Sequence, residues 1–184
     1  MEKKWEYAQS IHALFVDFSK AYDSIDRGSL YAILNNFGIP QKLINLIKMA
    51  TQESKMRVRV GGEVTQEFEV VTGLKQGDAL SPMLFNIALE HVIRKVLTLD
   101  TGIRLNGQHR VIGYADDLAL LGESKVDVEC SVRALICEAS RVGLKLNHDK
   151  TEYLHMKRYR NARQSVKTCA LEIFCSKGPL SSST

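Results

Sequence analysis

In Gly113-Tyr114-Ala115-Asp116-Asp117-Leu118-Ala119-Leu120-Leu121, two adjacent acids interrupt an otherwise apolar run. Val111, Ile112 and Tyr114 lead into them, and Leu118, Leu120 and Leu121 follow. β-Branched, aromatic and aliphatic flanks predict two short, mostly buried strands, with Asp116 and Asp117 at the tight turn between them. An isolated Asp pair at a turn is ordinary turn chemistry. Here a second acid stands in a matching setting, because Asp17 ends the apolar run His12-Ala13-Leu14-Phe15-Val16. Carboxylates at the ends of core strands are costly unless a positive charge compensates them. Two such ends that converge would offer oxygen ligands to a hard divalent ion, the usual engine of phosphoryl and nucleotidyl transfer.

The chain has 184 residues, 45% of them hydrophobic, and a net charge of +4. That size supports a domain with a real core, and the mild basicity permits a polyanionic partner without demanding one. Met1 to Tyr7 is charged and carries no signal-peptide core, and no apolar run is long enough to span a bilayer. Cys130, Cys137, Cys169 and Cys175 show no CxxC spacing, which argues against zinc and for free thiols in a reducing compartment. The expectation is therefore an intracellular protein, cytoplasmic or nuclear, with no membrane partner.

Glu2 to Ser10 reads as the last turns of a helix, followed by a strand into Asp17. Asp26 is placed to cap a helix bearing Leu30, Ile33, Leu34 and Phe37 at i, i+3, i+4, i+7. Gly38 ends it and Pro40 opens another with Leu43, Ile44, Ile47 and Ala50. Met56 to Val60 and Phe68 to Val71 alternate about Gly61-Gly62, predicting a hairpin with one wet face from which Arg57 and Arg59 project. Solvated charge explains that pair, and template contact is the sharper reading. Val71 to Leu80 is a loop with two glycines, after which Ser81 caps and Pro82 starts a helix to Leu97. Val126 to Val142 predicts a helix with Val126, Cys130, Ala134 and Cys137 inward, stopped by Gly143. From Lys145 to Lys167 basic residues outnumber acidic ones by five, which fits either a solvated surface or a phosphate-contacting flank. The expected division is a catalytic domain at 1–156 and a tail at 157–184, basic and then disordered.

Four stretches together resemble the reverse transcriptases of non-LTR, LINE-like retrotransposons. Phe15-Val16-Asp17-Phe18-Ser19-Lys20-Ala21-Tyr22-Asp23-Ser24-Ile25-Asp26 is similar to that family's first catalytic motif. Gly73-Leu74-Lys75-Gln76-Gly77-Asp78-Ala79-Leu80-Ser81-Pro82 is similar to the second, and Tyr114-Ala115-Asp116-Asp117 to the third. Gly143-Leu144-Lys145-Leu146-Asn147 through Lys150-Thr151-Glu152 is similar to the fourth. The resemblance runs from about Trp5 to Leu154. It implies an α+β polymerase palm, an antiparallel sheet backed by helices, with fingers and thumb largely missing.

The implied function is RNA-directed DNA polymerase: deoxynucleotides are added to a DNA primer 3′ end on an RNA template. The implied cofactor is a pair of Mg²⁺ ions, with Mn²⁺ as a substitute, held by Asp17, Asp116 and Asp117. One ion would activate the primer hydroxyl, and a second, about 4 Å away, would stabilise the leaving pyrophosphate. By the same resemblance Tyr22 excludes a 2′-hydroxyl, Gln76 contacts the incoming nucleotide and Gly77 lets it approach. Lys150 stands where the family has a candidate proton donor to pyrophosphate. Asp23 and Asp26 read as structural. Stretches matching fingers, thumb or endonuclease are not found, so a fragment of a retrotransposon polyprotein is expected. Two alternatives stand beside this: an RNA-templated RNA polymerase palm, against which Tyr22 argues, and an inactive nucleic-acid-binding module derived from a retroelement.

Overall fold

The computed structural model describes residues 10–51, 54–98, 103–104, 108–109, 111–114, 116–156 and 167–170. The expected helical turns at 2–9, Ala115 and most of 157–184 lie outside those residues. The chain divides into two compact units, one from 1–19, 93–137 and 146–184, the other from 20–92 and 138–145.

The first unit is built on an antiparallel sheet, as the α+β expectation required. Its strands are β1 (Ile11–Val16), β8 (Val111–Tyr114), β9 (Asp117–Gly122), β10 (Glu152–Met156) and β11 (Lys167–Ala170), ordered β11-β10-β1-β9-β8. The short strands β6 (Ile103–Arg104) and β7 (Gln108–His109) pair with each other. β1 is central because it is apolar on both faces: Ile11, Ala13, Leu14 and Val16 are all buried. One face carries Leu14, Val16, Leu118, Leu120 and Tyr153, all buried. The opposite face clusters Ile11, Ala13 and Leu121 with Leu154 and Met156, then opens at Phe15, which is 46% exposed. β11 lies inside the stretch expected to be a tail, where it pairs Glu152↔Ala170 through His155↔Lys167. β8 is less buried than its composition predicts, with Ile112 54% exposed, because it forms the sheet's outer edge.

The α5 helix (Lys125–Arg141) starts with a reciprocal cap. Ser124 N–H donates to Asp127 Oδ2 at 3.0 Å, and Asp127 N–H donates to Ser124 Oγ at 3.2 Å. Its buried positions are Val128, Ser131, Val132, Leu135 and Ala139. The expected inward face is thereby corrected: Cys130 and Cys137 are exposed, and so is Val126. The apolar residues of this helix admit two stripes, and the longer-branched Val128-Val132-Leu135 stripe takes the core.

His12 on β1 stacks on its cross-strand neighbour His155 on β10, ring centroids 4.3 Å apart, and is the hydrogen-bond partner of Tyr153 Oη. Burial first, and the His155 charge second, lower the His12 pKa from its ordinary value, while Asp127 pulls the other way. The unfolded chain takes up this proton near pH 6.5, and the folded chain only below that. Stability therefore falls as pH drops through 6.5 and levels off beneath the folded pKa. Melting at pH 7.5 and 5.5 should show a smaller acid loss in His12→Gln than in the parent, and equal losses would refute the assignment.

The second unit holds α1 (Ala21–Ser24), α2 (Arg27–Asn36), α3 (Gln41–Thr51) and the start of α4 (Ser81–Leu97). Asp26 caps α2 as expected, its Oδ1 accepting from Ser29 N–H at 2.7 Å. That hydrogen bonding holds the Asp26 carboxyl below its ordinary pKa. Leu30, Ile33 and Leu34 form the buried stripe of α2, whereas α3 buries Ile44 and Thr51 and leaves Leu43, Leu46 and Met49 exposed. The hairpin pairs β2 (Ser54–Met56) with β5 (Phe68–Val70), and β3 (Arg59–Val60) with β4 (Glu63–Val64), around Gly61 and Gly62. Both glycines have positive φ, as a tight two-residue hairpin turn requires. The expectation of one wet face is corrected, since side chains on both faces from Lys55 to Glu69 are exposed. Period-two alternation sets which residues share a face, not whether another layer covers it. Arg57 and Lys55 both pair with Glu67, at 2.9 and 3.2 Å.

Ser81 also departs from its expected role. It lies inside α4, buried, and its hydroxyl donates to the Lys75 carbonyl at 2.6 Å. The neighbouring Asp78 accepts instead, from Leu80 N–H at 2.9 Å. Among the described residues no helix is long and apolar enough to cross a membrane.

Candidate active site

The hairpin β8–β9 forms as its sequence predicts, with Tyr114 paired to Asp117 and Asp116 in the turn. The β1–β9 ladder runs from His12↔Gly122 to Val16↔Leu118. Continuing that register by one residue sets Asp17 opposite Asp117, and directly opposed residues share a face. It is the face that opens at Phe15, so both carboxylates project from the uncovered end of the central strands. Asp117 is exposed; Asp116 and Asp17 are half-buried.

Asp17 is held by the segment that precedes β10. Phe18 bridges Leu146, and Asn147 N–H donates to the Asp17 carbonyl at 2.8 Å. The Asn147 carboxamide Nδ2 donates to Asp17 Oδ2 at 2.9 Å. Lys150 Nζ stands 3.9 Å from the same oxygen, with its own side chain 71% exposed. An ion pair that open and that long contributes little to stability. The structure thus brings Lys150 to Asp17, as a motif-bearing turn can.

Asp17, Asp116 and Asp117 are hard oxygen donors, the chemistry that suits Mg²⁺. Among the described residues no three His, Cys, Asp or Glu side chains are gathered closely enough to surround one ion. Mg²⁺ is commonly held by one or two carboxylates and completed by water and substrate phosphate. The acids present fit that open mode, not a closed protein cage.

Tyr22, Gln76 and Gly77 belong to the second unit. Its organising element is the turn Tyr22–Asp26, bounded on two sides by backbone. Leu74 N–H donates to the Tyr22 carbonyl and Gly73 N–H to that of Ile25, both at 2.8 Å. Asp26 N–H donates to the Val142 carbonyl at 2.9 Å. The Tyr22 ring stacks on Phe85, centroids 4.7 Å apart and planes 19° from parallel, which fixes its orientation. Gln76 is exposed, and its Nε2 donates to Asp23 Oδ1 at 3.0 Å. Asp23 is therefore more than a turn former, since it anchors the Gln76 amide. Gly77 has φ +88°, and a Cβ there would meet nothing within 4 Å. Backbone conformation, not crowding within the chain, calls for glycine at that position.

Arg27 gave no signal as a site residue. It is buried, and its guanidinium donates to the carbonyls of Gly73 at 2.8 Å, Val70 at 2.9 Å and Thr72 at 3.2 Å. It so clamps the loop that carries Gln76. A cleft of about 570 Å³ lies beside it, lined by Asp23, Met56, Lys75 and Gln76 among others. One clue was available: a cation at the first residue of a helix opposes the helix dipole and needs another reason to be there.

The family described as "Reverse transcriptase (RNA-dependent DNA polymerase)" matches residues 1–172. The Pol polyprotein of the type-2 retrotransposable element R2DM of Drosophila melanogaster is 31% identical over 146 residues, covering 79% of this chain and 14% of that protein. The R2 Pol polyprotein of Popillia japonica is 27% identical over 144 residues, covering 77% of this chain and 24% of its own length. The chain thus spans a quarter or less of these two relatives. Among solved structures, apo telomerase of Candida tropicalis superposes with a TM-score of 0.65 at 17% identity, covering 89% of this chain and 34% of that one. A second structure of that telomerase, with a fragment of telomeric RNA, gives 0.64 at 15% identity. These likenesses agree with a palm-like fold. With the motifs in order, the acids at the strand ends and a family match over most of its length, the chain belongs to the reverse transcriptase (RNA-dependent DNA polymerase) family.

Proposed function

We propose that this chain is the palm of an RNA-directed DNA polymerase that extends a DNA primer on an RNA template. The observation that carries the reading is the β1–β9 register, which ends at Val16↔Leu118 and, continued by one residue, sets Asp17 opposite Asp117, with Asp116 in the adjoining turn. Reverse transcriptases work with divalent metal ions. Here Asp17, Asp116 and Asp117 would hold two Mg²⁺, which supply Lewis-acid activation of the primer hydroxyl and charge neutralisation at the leaving pyrophosphate. Lys150, exposed and beside Asp17, is suited to give a proton to the departing pyrophosphate. Gln76, fixed by Asp23, contacts the incoming nucleotide. That one of the relatives by fold was solved with RNA supports an RNA template here.

The test is primer extension on an RNA template with Mg²⁺ and deoxynucleotides, beside a control carrying Asp116→Asn and Asp117→Asn. Extension by the parent alone supports the polymerase. A folded parent that extends nothing under any divalent ion would leave the inactive-module reading in its place.

Tyr22 selects the sugar. A ring locked against Phe85 cannot yield to a 2′-hydroxyl, whereas a smaller side chain leaves room for one. Tyr22→Val should raise ribonucleotide relative to deoxynucleotide incorporation by about 10- to 100-fold, the range a few carbon atoms of pocket volume can supply. An unchanged ratio in competition assays would reduce Tyr22 to packing.

A further inference from the structure

We propose that Asn147 is the positioning residue for Asp17, fixing its carboxylate as a cation ligand; the inference rests on the polymerase reading above. Asp17 sits one residue beyond the end of β1, where the ladder with β9 no longer restrains its backbone. Its side chain would otherwise sample several rotamers, an ordering cost that falls on each turnover. Asn147 removes that freedom twice, by its N–H on the Asp17 carbonyl and by its Nδ2 on Oδ2.

The amide's own orientation is determined. Asp149 N–H, which can only donate, lies 3.2 Å from Asn147 Oδ1, so the NH₂ end must face Asp17. Thr151, 2% exposed, donates its hydroxyl to the Asn147 carbonyl at 2.6 Å and holds the backbone of this turn. A carboxylate whose Oδ2 is engaged at 2.9 Å presents Oδ1 to a cation. Lys150 reaches the same Oδ2 only at 3.9 Å from an exposed side chain. The amide, not the ammonium, therefore sets the geometry. Partners that orient a metal ligand in this way typically alter affinity or activity by 10- to 100-fold when removed.

Asn147→Ser is the informative variant. A serine still offers Asp149 N–H an acceptor, so the turn persists, but it is too short to reach Asp17. Mn²⁺ binding to the full chain is read from the free-ion paramagnetic resonance signal. Asn147→Ser should weaken it by about tenfold or more, and Asn147→Ala likewise. The loss should vanish in the Asp17→Asn background, because the two residues act as one unit. In primer extension the defect should fall on kcat and leave the deoxynucleotide KM within about twofold. Circular dichroism melts separate these effects from unfolding. A parent that binds Mn²⁺ but extends no primer would sink the polymerase reading, while the Mn²⁺ series would still decide the role of Asn147. Unchanged Mn²⁺ affinity in either folded variant, equal losses with and without Asp17, or a parent that binds no Mn²⁺ overturns the inference.

Discussion

Asp117→Asn is expected to reduce primer extension by on the order of 1,000-fold or more, which corresponds to about 4 kcal/mol of lost transition-state stabilisation. The substitution is nearly isosteric and removes one negative charge. Asp117 begins β9 and is exposed, and its backbone pairs with Tyr114 whatever its side chain. Nothing in the packing of Leu118, Leu120 and Leu121 depends on the carboxylate. Stability should stay within about 0.5 kcal/mol of the parent, as for surface changes generally. Asp17→Asn should cost as much activity but is a less clean experiment, because Asp17 also accepts from Asn147 and faces Lys150. The pair separates charge from structure: Asp117→Asn changes only the charge at the start of β9, and Asp17→Asn also disturbs the turn before β10. Extension by Asp117→Asn within tenfold of the parent would mean that this carboxylate does not take part in the chemistry.

The difference between these two acids marks what the sequence revealed. The β8–β9 hairpin was legible because β-branched and aliphatic residues flank a two-acid turn, and the pleat then fixes which side chains share a face. The strand β1 was legible from its apolar run into Asp17, but its central place in the sheet was not. Asp26 announced itself as a cap by its position before a periodic stretch. The partners of the site residues were not legible, because each contact joins positions distant in the chain: Asn147 to Asp17, Asp23 to Gln76, Arg27 to Val70, Thr72 and Gly73. The misplaced faces have the same origin. In α5 two apolar stripes compete, and only the packed neighbours select Val128, Val132 and Leu135 over Val126, Cys130 and Cys137. In the hairpin from Ser54 to Val70 alternation promised a covered face that this ribbon lacks.

Gly143→Ala should destabilise the second unit by on the order of 3 kcal/mol, the sum of left-handed strain and steric overlap. Gly143 ends α5 at φ +87°, where an L-residue is strained. A Cβ there would also stand 2.2 Å from the Ser24 carbonyl oxygen and 2.9 Å from Asp26 N. Both are backbone atoms of the Tyr22–Asp26 turn, so no rotamer change relieves the overlap. Either the turn shifts or the Asp26–Val142 hydrogen bond breaks. Gly38 supplies the matched control. It terminates α2 at φ +77°, and a Cβ there would meet nothing within 4 Å. Gly38→Ala therefore carries the backbone strain alone, about 1 kcal/mol. For a chain of this size each kcal/mol moves the melting midpoint by about 2–4 °C, so the two variants should melt several degrees apart. Because the turn also holds Tyr22, and Asp23 on it anchors Gln76, the surviving folded fraction of Gly143→Ala should discriminate sugars less well, while Gly38→Ala should match the parent. Equal melting points for the two alanine variants would show that the close approach at Ser24 is not maintained in solution, and would leave the left-handed backbone as the sole reason for a glycine at the start of the fourth motif.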